Sequence, residues 1–146
     1  MKHLIKSVLS GLLTVVMVSS ILCTAASASV KSSAFLNSYR ATIVPKSGGL
    51  IVVNVSVDGV GSMTEIGAKT IYIYESLDNK SFYRVGTYES SVYPQMMGSG
   101  YGYYRDAVTY LGKPGRYYYA SVWVYAANEN GSDEKNYSTA SKQAIP

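Results

Sequence analysis

All fifteen tyrosines of this 146-residue chain lie between Tyr39 and Tyr137, and its single tryptophan, Trp123, stands among them. Aromatic rings offer flat apolar faces with a polar tip, which stack on sugar rings or pack against a protein surface at low rotamer cost. The residues that run most nucleophilic and metal chemistry are almost missing. His3 is the one histidine and Cys23 the one cysteine, and both fall within the first 28 residues. A chain cut after residue 28 therefore has no imidazole and no thiol, which excludes a Ser-His-Asp triad, a Cys-His pair and a Cys/His metal site. Carboxylates alone remain for acid-base work, as in glycosidases, whose two acids stand about 5 to 9.5 Å apart. Glu75 and Asp106 are the acids nearest to strand-like runs. Nothing in their spacing makes them converge, and a domain this small offers little cleft, so the chain is read as a non-enzyme.

Two further constellations carry chemistry-bearing residue types. The segment Met97-Gly98-Ser99-Gly100-Tyr101-Gly102-Tyr103-Tyr104 is rich in glycine, but a phosphate cradle needs a preceding strand, a following helix and usually a lysine. It reads instead as a flexible loop whose aromatic tips, Tyr101 and Tyr103, are candidate ligand contacts. Glu129, Asp133 and Glu134 share a polar run with Asn128 and Asn130. Oxygen ligands suit calcium, yet the regular Asp-x-Asp spacing of a dedicated loop is missing, so the run reads as a solvated turn and no metal or cofactor is expected.

The elements that position the aromatic residues follow from alternation. In LIVVNVSVDG, Ile51, Val53, Val55 and Val57 share one face while Asn54 and Ser56 take the other, the pattern of a half-buried strand. Thr70 to Glu75 and Ser81 to Tyr88 form two β-rich runs joined by a polar stretch with Asp78-Asn79. Further strands are expected over Tyr39 to Val44, closed by Pro45, over Tyr103 to Tyr110 and, as a polar edge, over Asn136 to Ala144. The strongest runs from Tyr117 to Ala127, with Tyr118, Ala120, Val122, Val124 and Ala126 on one side. Val60 to Ala68 and Asn128 to Lys135 read as connections, and residues 89 to 102 as the least regular part. No 3.6-residue period persists after residue 28.

If Ile71, Ile73, Val122 and Val124 point inward, then Tyr72, Tyr74, Tyr119, Trp123 and Tyr125 point outward and form one aromatic patch, a candidate ligand-binding face. The competing readings are that the tyrosines merely cover an exterior sheet, or that the parity is inverted and they are core. A slip of one residue exchanges these readings.

The first 28 residues read as a secretory signal peptide. Lys2, His3 and Lys6 form a basic start, Val8 to Thr24 an apolar run, and Ala26-Ser27-Ala28 an A-x-A cleavage site. Ser20-Ile21-Leu22-Cys23 is a weak lipoprotein signal, because Leu22 stands where a small residue should precede a lipidated cysteine. Beyond the cleavage site come a Ser-rich flexible lead over residues 29–38 and a domain over residues 39–146. Eleven basic and nine acidic groups remain, a net charge of +2 with no basic stripe, which argues against nucleic acid. No later apolar stretch approaches the roughly 18 residues that span a bilayer, so the product is expected to be released outside the cell and not membrane-bound.

Six or seven short strands with regular turn signals predict an all-β antiparallel sandwich. Leu111, Pro114, the tyrosines that follow, the alternating Ala120, Val122, Val124 and Ala126, then Asn128 and Gly131, resemble part of a fibronectin type III-like or immunoglobulin-like domain. The resemblance implies that Tyr118 is a corner tyrosine whose hydroxyl ties back to backbone just upstream. It also implies that the two strands bearing the aromatic patch are neighbours. The longer pattern GSMTEIGAKTIYIYESLDNKSFYRVGTY, followed by GRYYYASVWVYAANENGSD, is similar to a family of short secreted Firmicutes proteins of unknown function. Together these readings lead to two expectations: a binding module for envelope or environmental polysaccharide, or an extracellular protein-interaction or structural surface protein.

Overall fold

The computed structural model describes residues 33–146; the expected signal peptide, Cys23 and the first residues of the expected lead lie outside the described residues. The chain forms β1 (Leu36–Pro45), β2 (Leu50–Met63), β3 (Glu65–Ser76), β4 (Tyr83–Glu89), β5 (Met97–Gly98), β6 (Tyr101–Leu111), β7 (Tyr117–Asn128), β8 (Gly131–Ser138) and β9 (Lys142–Gln143). They build two antiparallel sheets, one ordered β1-β2-β6 and the other β4-β3-β7-β8, with β5 added to β3 and β9 to β7. This is an all-β sandwich.

Alternation places the core. Ile51, Val53, Val55 and Val57 of β2 face Ile71 and Ile73 of β3 and Ala120, Val122, Val124 and Ala126 of β7 across the sandwich, all of them buried. Branched and small side chains on the inward positions let the sheets approach without voids, while the intervening residues point to solvent.

Three expected boundaries are corrected. The lead over residues 29–38 is part of the fold from Ser33 onward: Leu36 is buried in β1, and the Asp133 carboxylate accepts hydrogen bonds from the Ser33 hydroxyl and the Phe35 amide. The Phe35 ring lies against Gly131, so the chain start is latched to β8. Val60 to Ala68 is not a connection, because β2 runs on to Met63 and β3 starts at Glu65. At Gly67 a side chain would meet the Met96 carbonyl at 2.2 Å, and the glycine is what lets β5 lie against β3. The polar run Asn128 to Lys135 is mostly strand, turned by Glu129 and Asn130 alone.

The lower end of the sandwich is organised around Tyr118, which is fully buried, and Glu75, which is 3% exposed. The Lys113 amide donates to the Tyr118 hydroxyl oxygen at 2.8 Å, which is the upstream backbone tie expected of a corner tyrosine. The same hydroxyl donates to Glu75 Oε2 at 2.5 Å, and the Tyr83 hydroxyl donates to Glu75 Oε1 at 2.5 Å. Gly112 makes room for the arrangement, since a Cβ there would meet the Tyr118 ring at 2.8 Å. Burial acts to raise the Glu75 pKa, but the hydrogen bonds from Tyr118 and Tyr83, with the charges of Lys113 and Arg116, outweigh it and hold the carboxyl below its ordinary value.

Removing the Tyr118 hydroxyl leaves a buried carboxylate oxygen and a backbone amide short of a partner, at a cost of about 1–3 kcal/mol. Tyr118→Phe should therefore unfold at lower urea concentration than the wild type. Because the Glu75 pKa is lowered on folding, its contribution is complete above the unfolded carboxyl pKa and is lost as pH falls through the folded one. The stability gap between wild type and Tyr118→Phe should narrow below about pH 4. A gap that stays constant on acidification would show that Glu75 is not ionised in the fold.

Candidate functional site

Pairing in β3 and β7 brings the five sequence-predicted residues onto one surface. Glu75 is opposite Tyr118 and Tyr74 opposite Tyr119, so the buried pair and the outward pair are successive rungs of one ladder. Two rungs further, Tyr72 is opposite Ser121; Trp123 is opposite Thr70, and Tyr125 opposite Gly67. Tyr72, Tyr74, Tyr119, Trp123 and Tyr125 thus all lie on the outer face of the β4-β3-β7-β8 sheet, and none belongs to the buried core.

The rings do not form one continuous platform, because most of their faces are already covered. Tyr74 and Tyr119 are stacked at 4.7 Å and within 2° of parallel, and Phe82 meets Tyr119 edge-on at 4.9 Å. Burial, followed by the neighbouring Tyr74, pushes the Tyr119 hydroxyl pKa up. Arg84 lies over Tyr72 at 5.0 Å, and Lys69 over Tyr125 at 4.6 Å. Lys69 also pairs with Glu134 at 3.2 Å.

Both cations arrive through β-bulges, which reverse the local alternation and re-aim a side chain. In β3 the ladder to β7 shifts between Ala68 and Thr70, which leaves Lys69 as the extra residue. In the β3–β4 pair it shifts between Ile73 and Tyr74, so that Arg84 rather than Val85 stands opposite Tyr74. Val85 packs against the core instead.

Trp123 is the exception. It is 39% exposed, and among the described residues no aromatic ring stacks on it and no cation lies over it. Its neighbour on β8 is Asn136, whose side-chain amide donates to the Ser121 hydroxyl at 2.8 Å. An open indole is therefore flanked by an amide, by Ser121 and by Thr70, which offer hydrogen bonds in the plane of the sheet.

The other candidates are distributed differently. Tyr101 and Tyr103 are not loop tips but the first residues of β6, paired with Met63 and Asp58 on the opposite sheet, and each is 61% exposed. They are strand residues because β2 continues past Asp58 and gives them a partner. Glu75 is held by two phenols inside the fold, whereas Asp106 is exposed on β6 and accepts from the Ala107 amide at 2.7 Å. The acidic run is divided by its strand: Asp133 faces the latch at Ser33, while Glu134 faces Lys69.

No protein-family model matches the chain, and no curated protein matches it. Among solved structures, the chain is similar to the X-ray structure of Northeast Structural Genomics Consortium target SoR45, at a TM-score of 0.38 and 8% sequence identity over 75% of this chain and 84% of that one.

If the Tyr74 and Tyr119 rings are committed to each other, a double-mutant cycle with Tyr74→Ala and Tyr119→Ala should give a coupling of about 0.5–1.5 kcal/mol in denaturant unfolding. Coupling within error of zero would mean that both rings are free for a ligand.

Proposed function

We propose that the protein is a secreted, non-catalytic binding module whose β4-β3-β7-β8 sheet takes a polysaccharide chain across Trp123. The observation that carries this reading is the one uncovered indole in the middle of a face whose other rings are capped, with hydrogen-bonding side chains at its edges. A pyranose presents an apolar CH face and a rim of hydroxyls, and that combination fits a ring flanked by Asn136, Ser121 and Thr70. The capped tyrosines supply stiffness: Tyr72, Tyr74, Tyr119 and Tyr125 lose little freedom on binding because packing already holds them.

Export is supported by the basic start, the apolar run and the Ala26-Ser27-Ala28 site. A fibronectin type III-like reading of the sandwich draws on the strand order β1-β2-β6 against β4-β3-β7-β8 and on the Tyr118 tie to Lys113. Within that reading the chain fits the short secreted Firmicutes proteins that its sequence resembles.

Trp123 reports on its own site. Its fluorescence should be quenched by acrylamide in the free protein and protected when cell-wall polysaccharide is added, and Trp123→Ala should weaken binding at least tenfold, about 1.4 kcal/mol. Quenching that polysaccharide leaves unchanged, together with concentration-dependent protection and a dimer in sedimentation, would replace this reading with an extracellular protein-interaction surface.

A further inference from the structure

The outer face of the β1-β2-β6 sheet is chemically unlike the aromatic face. Its rungs run Ser38-Asp58-Tyr103, then Arg40-Ser56-Arg105, then Thr42-Asn54-Ala107. Two arginines therefore stand on one rung with a serine between them, about 10 Å apart at two strand spacings of roughly 4.8 Å each. Because Ser56 and Ala107 are short and the arginines long, the surface sinks between them into a depression of about 760 Å³ whose lining includes Arg40, Thr42, Asn54, Ser56, Arg105 and Asp106.

The two arginines are prepared differently. Arg105 is fixed: its Nη1 donates to the carbonyls of Val57 at 3.0 Å and Tyr104 at 2.7 Å, and its Nη2 pairs with Asp58 at 2.6 Å. It also lies 5.9 Å from the centre of the Tyr103 ring, which stands one rung beyond the depression with Tyr101 on its other flank at 6.1 Å. Arg40 is exposed on the opposite wall, and neither ion pair among the described residues uses it.

We infer that this depression is a second binding site, for a carboxylate-bearing saccharide such as a uronic acid chain. The free fork of Arg40 matches a carboxylate in two parallel hydrogen bonds. Tyr103, one rung beyond and 61% exposed, offers the part of its ring that Arg105 and Tyr101 leave open to the next sugar of a chain. Ser56, Thr42 and Asn54 on the floor pair with hydroxyls. The charge balance favours a singly charged group: Asp58 is paired with Arg105, and the Asp106 carboxylate, which also lines the depression, accepts from the Ala107 amide and the Tyr104 hydroxyl. A polyphosphate carries several negative charges toward Asp58 and Asp106, whereas a uronate residue brings one.

The test is a titration of the protein with trigalacturonate and with a hyaluronan hexasaccharide, followed by backbone amide shifts, with fully methyl-esterified trigalacturonate and inorganic polyphosphate as comparators. The expected result is saturable shifts at Arg40, Ser56 and Tyr103 with at least one uronate chain, binding of the ester at least tenfold weaker, and a loss of at least tenfold in Arg40→Gln. Arg40 is exposed, so Arg40→Gln keeps the fold, and an unchanged amide spectrum outside the depression verifies this. Trp123→Ala should bind the uronate as the wild type does, which separates this site from the one on the aromatic face. Absence of saturable shifts with both uronates, equal binding of the ester, tighter binding of polyphosphate at the same amides, or undiminished binding by Arg40→Gln would each overturn the inference.

Discussion

A carboxylate that is 3% exposed is tolerable only if its oxygens are met by donors, and Glu75 is met by the hydroxyls of Tyr118 and Tyr83. The rest of the structure depends on this bond because of where it sits in the ladder. Glu75 and Tyr118 are opposite each other, and side chains alternate along a strand, so holding this pair inside forces Tyr74 and Tyr119 outside and sets the phase of the rungs that follow as far as the bulge at Lys69. An apolar stripe alone would tolerate a neighbouring register more readily, since valine and alanine resemble one another. A buried hydrogen bond between two particular side chains does not.

The same hydroxyl accepts from the Lys113 amide, so one atom binds the end of β3, the start of β7 and the connection that arrives from β6. The two outer faces then inherit opposite chemistry from the strands that build them. On one, bulges bring Lys69 and Arg84 over tyrosines and leave one indole open. On the other, short side chains in β2 and β6 leave a polar depression between two arginines. Both are read off rungs of regular ladders, which are stiffer supports for a binding surface than loops are.

Much of this was legible in the sequence. Alternation in Ile51 to Val57 and in Tyr118 to Ala126 points to the buried faces, whereas which of the adjacent tyrosines ties back to Lys113 is decided by the register and not by the turn before it. Glycines misled the reading where they signalled breaks. Gly59, Gly61 and Gly67 read as a connection, but Gly67 lets β5 lie against β3, Gly59 makes room for the Met63 and Ile66 side chains, and Gly61 supplies a positive φ within β2. The hydrophilic run after Asn128 suggested a loop because an edge strand with one solvated side needs few apolar residues. The cations over Tyr72 and Tyr125 could not be foreseen, because a bulge changes facing by one residue and has no composition of its own. The arginine rung escaped notice for a different reason: Arg40 and Arg105 are 65 positions apart and meet only through the middle strand.

The latch at the start of the fold governs how the chain reaches it. Ser33 and Asp133 are separated by 100 positions, so the contact closes only after nearly the whole domain has collapsed. Loop closure over such a span is entropically costly before any contact compensates for it, and sandwiches rich in such pairings fold in milliseconds to seconds rather than microseconds. In a chain that emerges amino end first, Phe35 and Leu36 remain uncovered until Gly131 and Asp133 arrive. The first residues of the fold are thus among the last to be covered, and the edge they close stays open to solvent until the final strands are in place.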